Sequence, residues 1–448
     1  MKKVLLLNLI AMSTLLAACT VNNAFSHAQS SSETPSIESS SLEVISSEDI
    51  SSSNESSSSS SSSSEEIKHE EENLPEDDYT ILIYMCGSDL ESNYADSNKG
   101  FAYKDLAEIL KVKNQPEGVN IVIETGGAKK WSPNSGVTAR KIERWHVENQ
   151  QMVKDAQLSN ANMGLSKTFQ SFLEWGLETY PAKKTGVIMW DHGGGMEGVC
   201  YDETASVPNY LTPNEMSIAL STVWKNKKLT NKLEWIGYDA CLMAVQDIAD
   251  MNSNYFNYFV GSQETEAGDG WDYDNWLDNL YANPLIESEE LLTEICRSFV
   301  ADNSSEATLS ALDLSKMSEY KAAWEDLAVS LEIDSATKWN TLVNVVKSCS
   351  QYALGYYGHG ECELFDVGDF ITKGKAKYPS LDEKFDTLSE RFEELKITNK
   401  TTSDYKNKAH GLSYFCPAYG YYSKNLYSTG QTQFLEWRNI CIQYGNWA

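Results

Sequence analysis

The stretch Val187-Ile188-Met189-Trp190-Asp191-His192-Gly193-Gly194-Gly195 reads as an apolar strand that runs into a histidine and three glycines. Consecutive apolar residues without polar alternation fit a strand covered on both faces. In an open α/β sheet, loops beyond the carboxyl ends of the strands form the binding crevice. Glycines there let backbone N–H groups come close to a ligand. Further on, Trp235-Ile236-Gly237-Tyr238-Asp239-Ala240-Cys241-Leu242-Met243-Ala244 repeats the pattern with a cysteine at the strand end. Val245, Ile248 and Ala249 then follow helical spacing, which predicts a helix beginning at or just after Cys241. A thiol at a helix N-terminus is favoured as thiolate. If the two strands are parallel neighbours, His192 and Cys241 share one rim of the sheet, as a cysteine nucleophile and a histidine general acid/base require. Singly, a strand-end cysteine also reads as an inert buried thiol, and a triple glycine as a plain turn.

Around these two segments the texture is that of an α/β protein. Further strands are predicted over 79–85, 119–124, 141–147, 258–262 and 308–312, alternating with amphipathic helices. One such helix carries Phe169, Phe172, Leu173 and Leu177. Another opens with Thr212-Pro213-Asn214-Glu215, an N-cap, a first-turn proline and a capping-box glutamate. Strands alternating with helices imply a mostly parallel sheet with helices on both faces. Beyond about residue 316 the alternation fades into helical stretches (320–331, 339–352, 381–395) and an aromatic-rich end. Residues 79–316 are therefore expected to form the main domain, and 317–448 a smaller, mainly helical subdomain.

The chain has 448 residues and a net charge of −29, which excludes a general nucleic-acid or anionic-membrane binder. Nearly half of that charge lies in residues 20–78, where fourteen acidic residues face the single basic Lys68 and serine occurs twenty-two times. Such a segment cannot bury enough apolar area to offset chain entropy and reads as a solvated tether over 19–78. Before it, Lys2 and Lys3 precede an apolar run that ends in Leu16-Ala17-Ala18-Cys19. This describes a secretory signal over 1–18, and the last four residues resemble a lipobox. Cys19 is the expected lipidation site, and the outer face of a bacterial cell membrane the expected location. The other eight cysteines form no Cys-x-x-Cys pair and no Cys/His cluster with zinc spacing.

The His-Gly strand end followed by Asp239-Ala240-Cys241 resembles the clostripain-like cysteine peptidases, in the wider clan of caspases, legumains and gingipains. The resemblance extends over residues 79 to about 440. It includes Tyr79-Thr80-Ile81-Leu82-Ile83-Tyr84-Met85, Asp89-Leu90-Glu91, Gln263-Glu264-Thr265-Glu266-Ala267-Gly268-Asp269-Gly270-Trp271 and Gly411-Leu412-Ser413-Tyr414-Phe415. It implies a caspase-like α/β/α sandwich and a monomeric endopeptidase that cleaves after Arg or Lys. Cys241 would match the nucleophile and His192 the catalytic histidine. Backbone N–H groups of Gly193 and Cys241 would hold the oxyanion. Asp269 would match the pocket-floor acid that selects the substrate cation, and Asp239 a second acid beside the nucleophile. From the residues alone, Asp239 also reads as a helix cap and Asp269 as a turn residue.

The remaining readings are smaller. Members of this family often cut themselves at a basic residue after the catalytic histidine, yet no lysine or arginine lies between Cys200 and Asn214. The first basic residue after His192 is Lys225, followed by Lys227 and Lys228. Asp191 is expected to position its loop, His146 to lie on a strand surface, and His359 and His410 to lie outside the chemistry. No cofactor is expected; the acidic run Asp269–Asp274 is a candidate calcium site without the EF-hand pattern. The rival to an enzyme is a surface binding protein of the same fold that holds a peptide or glycan.

Overall fold

The computed structural model describes residues 77–158, 162–205, 209–303, 307–354, 362–427 and 432–448. The signal, Cys19, nearly all of the tether and His359 lie outside the described residues.

Nine strands form one mixed sheet. In chain order they are β1 (Asp77–Cys86), β2 (Val119–Gly126), β3 (Ile142–Glu148), β4 (Gln151–Leu158), β5 (Ala182–Trp190), β8 (Leu233–Asp239), β9 (Phe256–Gly261), β10 (Thr308–Asp313) and β12 (Lys396–Thr401). The spatial order is β12-β10-β9-β8-β5-β1-β2-β3-β4. The five central strands, from β9 to β2, pair in parallel, whereas both flanks are antiparallel. Two small ribbons complete the strands: β6 (Val199–Asp202) with β7 (Asn209–Leu211), and β11 (Leu364–Asp366) with β13 (Ser413–Phe415).

The apolar runs explain the sandwich. Along β1, Leu82, Tyr84 and Cys86 face one hydrophobic cluster, while Tyr79, Ile81, Ile83 and Met85 face another on the opposite side. Alternate side chains of one strand thus enter two cores, so the strand must be apolar throughout. The clusters hold the helices on either face. The helix Pro213–Lys227 begins with the expected capping box, Thr212 and Glu215 bonding each other's backbone reciprocally.

Two expectations change. Cys241 does not open a helix: the following helix spans Gln246–Asn252, with turns between. Residues 317–448 are mainly helical but supply β12, which pairs with β10 at the sheet edge; their side chains share a cluster with β1 and β5. No helix among the described residues is long and apolar enough to cross a membrane.

Register brings the chemistry together. Met85 of β1 stands beside Trp190 of β5, and Trp190 beside Asp239 of β8. Three adjacent parallel strands therefore end almost level, and the residues that follow them emerge on one rim.

Candidate active site

His192 lies two residues beyond β5 and Cys241 two beyond β8. Both side chains line one cavity, with Leu90, Asp191, Asp239, Ala240, Glu266 and Gly268 among its other walls. The third strand end contributes what the sequence did not announce. The short helix Ser88–Ser92 after β1 carries Asp89, whose carboxylate lies 2.7 Å from His192 Nε2. Burial alone would lower the His192 pKa, but the Asp89 hydrogen bond and the charges of Asp191 and Asp89 raise it to about 9. Asp89 is pushed up by partial burial yet held below its ordinary value by the same imidazole.

Asp191 ties the rim together. It accepts hydrogen bonds from Ser88 Oγ and the Tyr201 N–H, linking the loop after β5 to the helix after β1 and to β6. Burial pushes its pKa up to about 7. The role expected for it, holding the loop, agrees with these contacts.

The turn at Cys241 is held by the segment after β9. Leu242 N–H donates to Glu264 O at 3.1 Å and Ala244 N–H to Ser262 O at 2.8 Å. Glu266 N–H donates to Cys241 Sγ at 3.2 Å. An amide aimed at sulfur favours the thiolate, the role assigned above to a helix terminus. Gly193 is required by a close approach: a Cβ there would sit 2.1 Å from the Cys241 carbonyl oxygen. The backbones of the two expected oxyanion donors therefore run side by side.

Asp239 closes β8 and is buried. It accepts from Tyr273 OH at 2.9 Å and Trp271 N–H at 3.3 Å. It caps no helix, so that alternative falls. Burial raises its pKa to about 6. Asp269 departs from the pocket-floor expectation: its side chain is 60% exposed and ion-paired with Lys104. Other acids lie deeper. Glu266 lines the cavity, and Asp105, on the helix Phe101–Lys111, accepts from Trp190 Nε1 at 2.6 Å. Gly270 fits between two carboxylates, since a Cβ there would lie 2.7 Å from Asp105 Oδ2 and 3.2 Å from Asp239 Oδ2. Asp105 carried a readable signal: it shares the buried helix face with Ala102, Leu106 and Ile109. Glu266, in a polar loop, carried none.

Elsewhere, His146 on β3 pairs with Asp155, and His410 with Asp366. Lys225 and Lys227 lie in the last turn of their helix and Lys228 caps it. A helical segment is a poor protease substrate. Carboxylates of Glu108, Asp272 and Asp274 converge, with Lys111 already paired to Asp274. The eight cysteines among the described residues are buried, and none forms a disulfide with another described residue.

The profile of the clostripain family of C11 peptidases matches residues 83–425. Clostripain of Hathewaya histolytica is 22% identical over 307 residues, 57% of this chain and 57% of the relative, so the match spans little more than half of that protein. An inactive zymogen C11 protease from Parabacteroides distasonis superposes with a TM-score of 0.56 at 20% identity, covering 76% of this chain and 93% of that one. A secreted C11 cysteine protease from Bacteroides thetaiotaomicron, solved in complex with an irreversible peptide inhibitor, gives 0.55 at 18% identity, covering 81% and 98%. At these identities the solved structures speak for the fold, which is mixed α/β with a large, mostly parallel sheet flanked by helices. The profile match spans most of the chain, from the first core strand to the aromatic end: this protein belongs to the clostripain family.

Proposed function

We propose that this protein is a cell-surface cysteine endopeptidase that cleaves peptide bonds after Arg or Lys. The observation that carries the proposal is the delivery of His192 and Cys241 to one cavity, with Asp89 bonded to the imidazole, by three adjacent parallel strand ends. The cavity walls hold Asp191, Asp239 and Glu266 but neither lysine nor arginine.

The chemistry follows from the bonds. With Nε2 occupied by Asp89, His192 exchanges protons with the substrate through Nδ1. The Cys241 thiolate attacks the scissile carbonyl carbon. The resulting oxyanion is held by the N–H groups of Gly193 and Cys241. As the tetrahedral intermediate collapses, the imidazolium protonates the leaving amine and a thioester remains on Cys241. Neutral His192 then takes a proton from water, which attacks the thioester and releases the acid product and the thiolate. A cationic side chain entering the pocket meets Asp239, and an apolar one would leave that carboxylate without a counter-charge.

The substrates on this reading are peptides or proteins with accessible Arg or Lys. Lipidation at Cys19 would tether the enzyme outside the cell. A fluorogenic peptide with Arg or Lys at the cleavage position tests the activity. Wild type should turn it over and Cys241→Ala should not. Failure of correctly folded wild type on this and on neutral peptides would favour the binding-protein reading.

A further inference from the structure

We infer that Glu266, together with Asp239, is the carboxylate that meets the substrate cation in this chain, in place of the exposed Asp269. This inference rests on the proposed cleavage after Arg or Lys and names the residue that sets it.

Three independent observations meet at Glu266. Its backbone is fixed to the nucleophile by the N–H to Sγ bond, so its side chain belongs to the immediate surroundings of Cys241. It lines the same cavity as His192, Asp239 and Cys241. Its carboxyl is buried against the Asp239 carboxyl and the Trp271 side chain, yet neither oxygen makes a hydrogen bond of good geometry with them; among the buried carboxyls of the described residues only Glu266 has both oxygens in this state. Buried acids with purely structural work look different. Glu91 accepts from Tyr103 N–H and Ser132 N–H. Glu264, two residues away, accepts from Thr265 N–H, Ala353 N–H and Tyr405 OH.

An unsatisfied buried carboxyl costs stability unless something arrives to satisfy it. The surroundings specify what that is. Asp239 and the Cys241 sulfur are the negative neighbours that Glu266 feels, and burial with these charges raises its pKa well above the ordinary value. Asp105 adds a third carboxyl behind Asp239, with Oδ1 also unpartnered. Without a ligand, such a cluster keeps protons. A guanidinium or ammonium group placed among the carboxyls lets them ionise and supplies the missing donors. Asp269 lacks this need, because it is solvated and Lys104 already neutralises it.

The test compares Glu266→Gln, Glu266→Asp and Asp269→Asn with wild type on three otherwise identical fluorogenic peptides. These carry Arg, Lys or norleucine at the cleavage position. Iodoacetamide alkylation of Cys241 reports on the nucleophile itself. Glu266→Gln should lower kcat/KM for the Arg and Lys peptides roughly thirtyfold or more, through KM. It should leave the norleucine peptide and the alkylation rate within about twofold, and Glu266→Asp should recover part of the loss. Asp269→Asn should stay close to wild type. Equal losses on all three peptides, or unchanged Arg and Lys kinetics in Glu266→Gln, overturn the assignment while leaving the Arg/Lys specificity intact. A wild type that prefers norleucine overturns both.

Discussion

His192 Nε2 and the Asp89 carboxylate lie 2.7 Å apart, joined across the ends of two paired parallel strands. The contact fixes which imidazole nitrogen faces the substrate and stabilises the imidazolium. Asp89→Asn should therefore move the basic limb of the kcat/KM profile from near pH 9 towards the ordinary histidine range. The rate should fall about 10- to 100-fold, mainly in kcat. A lower rate with an unmoved basic limb would assign Asp89 to folding alone.

Gly193→Ala addresses the oxyanion donors. The added methyl would meet the Cys241 carbonyl oxygen at 2.1 Å, so the two turns must part. We expect kcat to drop about 100-fold or more, with Cys241 still open to alkylation. Single-turnover kinetics separate this from a change in substrate binding.

Stability should depend on pH in an unusual direction. Burial raises the pKa of Glu124, Asp191 and Asp247 to about 7 and that of Asp239 to about 6. The folded chain therefore holds protons that the unfolded chain releases near pH 4. Stability from these groups is full below about pH 4 and is lost as pH rises towards 7. Elevated His192 extends the trend from about 6.5 to 9. Thermal melts of Cys241→Ala should give a higher midpoint at pH 5 than at pH 7.5; the reverse order would contradict these shifts.

The calcium expectation has its own check. The proposed steps use side chains and backbone only, and the Asp272–Asp274 region is already partly neutralised by Lys111. Activity of purified enzyme should be the same in excess EDTA as in added calcium. A reversible loss in EDTA would give the cluster a functional role.

Much of this was legible in the sequence, for physical reasons. Central strands such as β1 and β5 must be apolar on both faces, so their runs stand out, and a histidine or cysteine at their ends marks the rim. The capping box at Thr212 is a local code, legible in the four residues Thr212 to Glu215. Strand β4 carries no such mark, because an edge strand with mostly exposed side chains needs no apolar pattern. Asp89 was visible as a residue but not as a partner, since its role depends on strand register. The supposed helix start at Cys241 failed because Met243 and Ala244 continue the apolar texture through a turn. Asp269 and Glu266 lie three residues apart in one loop, and only the fold decides which of them turns inward.

The most direct test is covalent. A peptide ending in Lys or Arg with a thiol-reactive ketone at its carboxyl end is offered to wild type, and the labelled residue is located by peptide mapping. A single label on Cys241 is expected, far slower in His192→Ala, absent in Cys241→Ala, and outpacing the norleucine analogue. Folded wild type that takes no label at Cys241, or takes the norleucine analogue equally fast, would contradict it.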